Sequence, residues 1–152
     1  MTEQAYSPGL AGVIAGESAL SRIDVEINRL ILRGYDLVEL TENARYEEVA
    51  YLLLYGELPT GSELAVFNSE LRSLRDLPGP VVELLRSAPA DAHPMDLLRT
   101  AVSALAFFDA ETRDNSHAAN VRKTMRLMAK IPTAIACGHR FAQGLEPVAP
   151  DA

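Results

Sequence analysis

Helical periodicity, cut at intervals by residues that stop or start a helix, constrains this chain more than any other feature of its sequence. From Asp36 onward the periodicity is helical: apolar side chains recur at three- and four-residue spacing, which gathers them on one helix face. A first helix is expected over Tyr46–Tyr55, closed by Gly56, because glycine adopts at little cost the left-handed backbone that ends a helix. Thr60 and Glu63 have the spacing of a capping box, each able to satisfy a free amide of the next helix. That helix carries Leu64, Phe67, Leu71 and Leu74 on one stripe and ends before Pro78. A short helix is expected over 80–87, with Pro80 in the first turn, where its missing donor is harmless. A longer one over 94–108 has the stripe Met95, Leu98, Val102 and Leu105. After the polar turn 109–115, Ser116 caps a last helix with the stripe Ala118, Val121, Met125, Met128, Ile131 and Ile135; Pro132 inside it is expected to produce a kink.

The beginning of the chain has a different period. Ile23, Val25 and Ile27 alternate with Asp24 and Glu26, the pattern of a half-buried strand, and a second strand is expected over 29–32 with Gly34 in the turn after it. Two short strands are unstable in isolation, so the ribbon requires a surface to lie on. The expected fold class is mainly α with a small N-terminal β ribbon. At 152 residues the chain is one domain by size: β ribbon and turns over 1–35, helices over 36–143, a tail over 144–152.

Charge excludes some functions. With 14 Lys and Arg against 21 Asp and Glu, the net charge of −7 argues against broad binding of nucleic acid or anionic lipid. Cys137 is the only cysteine, so neither an intrachain disulfide nor a cysteine-cluster metal site is expected. No apolar run reaches the length of a membrane span, and the first ten residues lack the basic start and apolar core of a signal peptide. A cytoplasmic location is the expectation.

The sequence contains no phosphate loop, dinucleotide fingerprint, zinc-protease motif or serine-nucleophile elbow. Its histidines, His93, His117 and His139, are scattered. His93, between Asp91 and Pro94 at a helix start, has two readings: a polar group touching a substrate or a neighbouring helix, or a structural residue bonded to backbone. His117 and His139 are expected at the surface. Cys137 sits among Ala134, Ala136 and Gly138 and reads as a buried thiol packed between helices, with no base near it in sequence. Glu17, Asp24, Glu47 and Glu48 are isolated or at helix starts, where carboxylates suit the dipole. Met95, Met125 and Met128 read as core. The small residues Ala101, Ser103, Ala104 and Ala106 on one helix, and Ala118, Ala119, Ala129 and Ala134 on the next, allow close approach within the chain or between two copies.

Several segments taken together resemble the citrate synthase family. They are Arg33-Gly34-Tyr35-Asp36, the run from Tyr46-Glu47-Glu48 to Leu58-Pro59-Thr60, the run from Asp91-Ala92-His93-Pro94-Met95 to Leu105, Ala129-Lys130-Ile131-Pro132-Thr133, and Gly144-Leu145-Glu146-Pro147. Their order and spacing match over nearly the whole chain, including the stretch from Gly9 to Gly16. Two departures stand out. Val25-Glu26-Ile27-Asn28 replaces a glycine-bearing turn, and Arg45 stands where a capping hydroxyl is common, forgoing about 1 kcal/mol.

The resemblance implies the N-terminal, large-domain part of a helical enzyme, and a homodimer packed through the helices over 94–108 and 117–141. It implies a transferase of the tricarboxylic acid cycle that condenses acetyl-CoA with oxaloacetate, or propionyl-CoA in relatives that make 2-methylcitrate, with no cofactor and no metal. It also implies that the two catalytic histidines, the catalytic aspartate and the main oxaloacetate arginines lie past the point matching Ala152. No residue here is therefore assigned a catalytic or substrate-binding role, and His93 is not promoted to one. The expected partners are a second copy or a complementing C-terminal citrate synthase-like chain, with acetyl-CoA and oxaloacetate bound only after complementation. The chain alone is expected to be inactive, as half of a split enzyme or as a non-catalytic dimerising module.

Overall fold

The computed structural model describes residues 9, 12–14 and 16–151, which fall into two units, Met1–Pro59 and Thr60–Ala152. The expectations that fall on residues 1–8, including the absence of a leader, and on 10, 11, 15 and 152 lie outside the described residues. The architecture is mainly helical with one small antiparallel sheet.

In the first unit the chain forms β1 (Ser21–Asp24), β2 (Arg29–Leu32) and β3 (Tyr35–Asp36), in the spatial order β1-β2-β3. Ser21 pairs with Leu32, and Asp24 with Arg29. The expected strand over 23–27 is corrected: β1 ends at Asp24, and Ile23, Val25 and Ile27 are 74%, 82% and 61% exposed. The cause is local. Asp24 Oδ1 accepts from the amides of Glu26 (3.2 Å) and Ile27 (3.4 Å), turning the backbone before the apolar alternation can extend a strand. Asn28 takes a left-handed φ of 51°, which its short polar side chain tolerates in place of glycine. Arg33 and Gly34 (φ 49° and 94°) form the two-residue connection to β3, with both φ values positive as a type I′ turn requires. Arg33 Nη2 donates to the carbonyl of Leu53 (3.2 Å).

Helix α1 (Leu37–Asn43) lies in the stretch expected to be helical from Asp36 onward, as a helix of its own before α2. Its start is set by Asp36, whose Oδ1 accepts from the amides of Val38 (2.8 Å) and Glu39 (3.3 Å) while the same carboxylate pairs with Arg29. Helix α2 spans Tyr46–Tyr55 as expected and closes on Gly56 at φ 95°. At its start Glu48 accepts from the Arg45 amide (2.8 Å), but Arg45 returns no side-chain bond to the first turn, because guanidinium has no acceptor.

The second unit contains α3 (Gly61–Ser73), α4 (Gly79–Arg86), α5 (Pro94–Leu105) with a 3-10 turn at Ala106–Phe108, and α6 (His117–Ala142). Thr60 and Glu63 make both bonds of the capping box, and Ser116 accepts from the Ala119 amide. Pro132 lies inside α6, leaving the Met128 carbonyl without its usual i+4 donor. The core is built from Val81 and Leu85 of α4, Ala101 and Leu105 of α5, and Ala134 and Cys137 of α6.

Two stripes need correction. Met95 is 61% exposed, and α5 buries Ala101 and Leu105, flanked by the half-buried Leu97 and Ala104. On α6, Ala118 and Ile135 are exposed, while Ala119, Met125, Ala129, Ala134, Cys137 and Gly138 are buried. A stripe chosen for large apolar side chains misses positions where helix axes approach closely, and there small residues are the buried ones. The alanines thus serve contacts within the chain at Ala101, Ala119, Ala129 and Ala134, while Ser103, Ala106 and Ala118 stay exposed.

Candidate functional site

In the second unit a cleft of about 200 Å³ opens where the 3-10 turn leads into the α5–α6 connection. Pro78, Val102, Leu105, Phe108 and Leu127 form its apolar walls, and Asp109, Lys123, Arg126 and Lys130 give its polar edge. The three cations share one side of α6 because 123, 126 and 130 are spaced by three and four residues. None of the three histidines lines the cleft.

The polar edge is internally matched. Arg126 forks onto Asp109 (Nε to Oδ2 2.8 Å, Nη2 to Oδ1 2.9 Å) and reaches Glu111 Oε2 at 2.8 Å. Arg122 binds the same Glu111 through Nε and Nη2. Lys123 donates to the Asp114 carbonyl, and Lys130 to the carbonyls of Leu74 and Asp76 just past α3. The Arg122 bond, and after it the Arg126 bond, hold the Glu111 carboxyl down at about 2. At Asp109 partial burial pushes upward, but bonds from Arg126 and the Glu111 amide leave it below the usual carboxylate range. Burial lowers the Lys130 ammonium. With both arginines tied to carboxylates, this edge anchors the turn to α6 rather than offering a free base or nucleophile.

This cluster gives a pH prediction. A carboxyl depressed on folding contributes stability that is complete above its unfolded value and is lost as pH falls through the folded one. Stability should therefore decline between about pH 4.5 and about pH 2 as Glu111 and Asp109 take up protons. Glu111→Gln should lower the urea midpoint at neutral pH and converge with the parent near pH 2; a constant gap across that window would contradict the assignment.

Other residues singled out from sequence are dispersed. His93 Nδ1 accepts from the Met95 amide (3.2 Å) as the N-cap of α5, the backbone-bonded arrangement. His117 and His139 are exposed. Cys137 is 4% exposed in the core, and burial pushes its thiol up, away from nucleophilic form. Glu48 caps α2, Asp24 pairs with Arg22 at 3.0 Å, and Glu17 and Glu47 take no part in the cleft. Met125 is core, Met128 half-buried and Met95 exposed. Among the described residues no group of three His, Cys, Asp or Glu side chains is placed to hold a metal ion, and no helix is long and apolar enough to cross a membrane. The linked cluster of Asp109, Glu111, Arg122 and Arg126 was not foreseen. Its only sequence signal was a polar turn followed by basic residues along one helix, which does not specify partners.

The family model described as citrate synthase, C-terminal domain, matches residues 9–152. The citrate/2-methylcitrate synthase of Bacillus subtilis is 42% identical over 148 residues, covering 97% of this chain and 40% of that protein. The 2-methylcitrate synthase 2 of Corynebacterium glutamicum is 46% identical over 145 residues, covering 94% of this chain and 37% of that protein. Among solved structures, the citrate synthase of Pyrobaculum aerophilum superposes with a TM-score of 0.84 at 36% identity, covering 97% of this chain and 40% of its own. That of Thermotoga maritima gives 0.82 at 31% identity, with 97% and 38% covered. The chain thus spans about 40% of the length of the relatives it matches.

Proposed function

The chain belongs to the citrate synthase family, and from that membership we propose that it forms the helical opening part of an enzyme condensing an acyl-CoA thioester with oxaloacetate. The observation that carries this reading is the match itself: 42% identity over 148 residues to a citrate/2-methylcitrate synthase, with a TM-score of 0.84 to a citrate synthase fold. In this reading the chain supplies scaffold. Proton abstraction from a thioester methyl group needs a positioned base within hydrogen-bond reach. Here the histidines are an N-cap and two surface residues, and the clustered carboxylates are held ionised by arginines. The base and the groups that stabilise the enol belong to other segments of the family's chain.

The subunit contact of the assembled enzyme is assigned to the outer faces of α5 and α6, where Met95 and Ile135 stand exposed. A preference for propionyl-CoA, giving 2-methylcitrate, is the second reading, favoured by the relative of that name at 46% identity.

Thiol release from acetyl-CoA or propionyl-CoA with oxaloacetate tests the proposal. The 152-residue chain alone should release no CoA above background. Co-folded with the remaining segment of a related synthase it should restore turnover, and the ratio of the two thioesters identifies the substrate. Robust release by the chain alone, or a stable complemented complex with no release, would overturn the assignment.

A further inference from the structure

The β1 edge of the small sheet is self-complementary. Among the described residues no strand lies beyond β1, the outer strand of the order β1-β2-β3. The Arg33 amide donates to the Leu20 carbonyl at 2.9 Å, in the same register that pairs Arg22 with Ile31 and Asp24 with Arg29. Backbone direction alternates along an antiparallel strand, so Leu20, Arg22 and Asp24 face β2, while Ser21 and Ile23 direct their N–H and C=O groups outward. An exposed edge is a template for another strand, and short strands, charged side chains, prolines and bulges are what blunt it against unmatched partners. Here the charges are of opposite sign, Arg22 and Asp24, two residues apart on one face, with Ile23 between them on the other.

We propose that β1 pairs antiparallel with β1 of a second copy of this chain, about a two-fold axis at Ile23, to form a continuous six-stranded sheet. This contact is independent of the catalytic reading. In that register Ile23 faces its own counterpart as a hydrogen-bonded pair, exchanging both backbone bonds. Arg22 then stands opposite Asp24 of the other copy, and the reverse, in the non-hydrogen-bonded positions where side chains are closest. A two-fold contact makes each favourable pair twice, as an isologous interface requires. Asp24 Oδ2, which already accepts from its own Arg22, has acceptor capacity for a second guanidinium. On the opposite face Leu30, paired with Ile23, extends an apolar strip of Leu30, Ile23 and their two counterparts. Ile23 is 74% exposed in the single chain, so the pairing removes apolar surface that water otherwise meets. The same edge with two like charges would repel itself; this one selects a copy of itself.

Cysteine cross-linking reads the contact directly. Ile23→Cys brings two Cα atoms to about 5.5 Å across the axis, inside the span a disulfide bridges. Under copper–phenanthroline oxidation at micromolar concentration, Ile23→Cys should form a covalent dimer at least about tenfold faster than Tyr46→Cys, an exposed position off the sheet. Adding Arg22→Asp should slow that cross-linking about fivefold, and adding Asp24→Arg as well should restore it, because two charge pairs are first reversed and then re-formed. Equal rates for the two cysteine positions overturn the contact. A rate unchanged by Arg22→Asp, or not restored by the charge swap, overturns this register. The readout needs no activity, so it stands or fails apart from the condensing reaction.

Discussion

Leu85→Ala should lower the unfolding free energy of the Thr60–Ala152 unit by about 3 kcal/mol, within the range for truncating a buried leucine. Leu85 is 2% exposed and sits in the cluster that joins α4 to α5 and α6, among Val81, Ala101, Leu105, Ala134 and Cys137. Its neighbours are short or come from other helices, so the space it leaves cannot be refilled by one rotamer change. The cavity cost then adds to the lost transfer energy. The matched control is Met95→Ala. Met95 also lies on an apolar stripe by sequence, but it is 61% exposed, and its truncation should cost no more than about 0.5 kcal/mol. Urea denaturation followed by far-ultraviolet circular dichroism measures both. Equal losses at the two positions would show that the helices pack in the phase of the sequence stripe and not in the one described.

The second large effect lies at Gly138, near the end of α6. A Cβ placed there would come within 2.3 Å of Leu97 Cδ2 and 3.4 Å of Leu97 Cγ, with Leu85 Cδ2 at 3.8 Å. Two effects compete. Replacing a helical glycine by alanine gains roughly 1 kcal/mol of helix propensity. Overpacking a tight contact costs roughly 1–3 kcal/mol. Leu97 is only half-buried, and the nearest atom is the end of its side chain, so it can move away from a single methyl group. Gly138→Ala should therefore come out near neutral. Gly138→Val adds two branched methyl groups with little propensity gain, and the loss should reach about 2 kcal/mol. Leu97→Ala in the same molecule should recover part of that loss, since residues in contact do not add independently. Additive losses in the double variant would remove Leu97 as the opposing surface.

Much of the fold was legible because its signals are short-range. Gly56 ends α2 at a positive φ, Thr60 and Glu63 cap α3, and Ser116 caps α6; each depends on atoms within four residues. The miss over 23–27 has the same local character. The alternation of Ile23, Val25 and Ile27 suggested a strand, while the Asp24 carboxylate, equally present in the sequence, turned the chain first. Helical character from Asp36 onward was legible, but the break between α1 and α2 at Ala44 and Arg45 carries no glycine or proline to mark it. The cluster of Asp109, Glu111, Arg122 and Arg126 was less legible still. Its partners are 11 to 17 residues apart, and nothing in their spacing selects which acid meets which arginine.

The boundary between the two kinds of knowledge follows from the range of the forces. Ordered motifs in the sequence were enough for the family and for the position of most helix ends, since caps, glycine turns and hydrophobic period act along the chain. The phase in which α5 and α6 face the core was decided by packing. Close approach of helix axes buries Ala101, Ala134 and Gly138 and leaves Met95 and Ile135 exposed, the reverse of what hydrophobicity alone selects. The chemistry of His93 and Cys137 was settled the same way. One nitrogen is spent on a backbone amide and the thiol lies in an apolar core, and both facts depend on the neighbours that the fold brings to them.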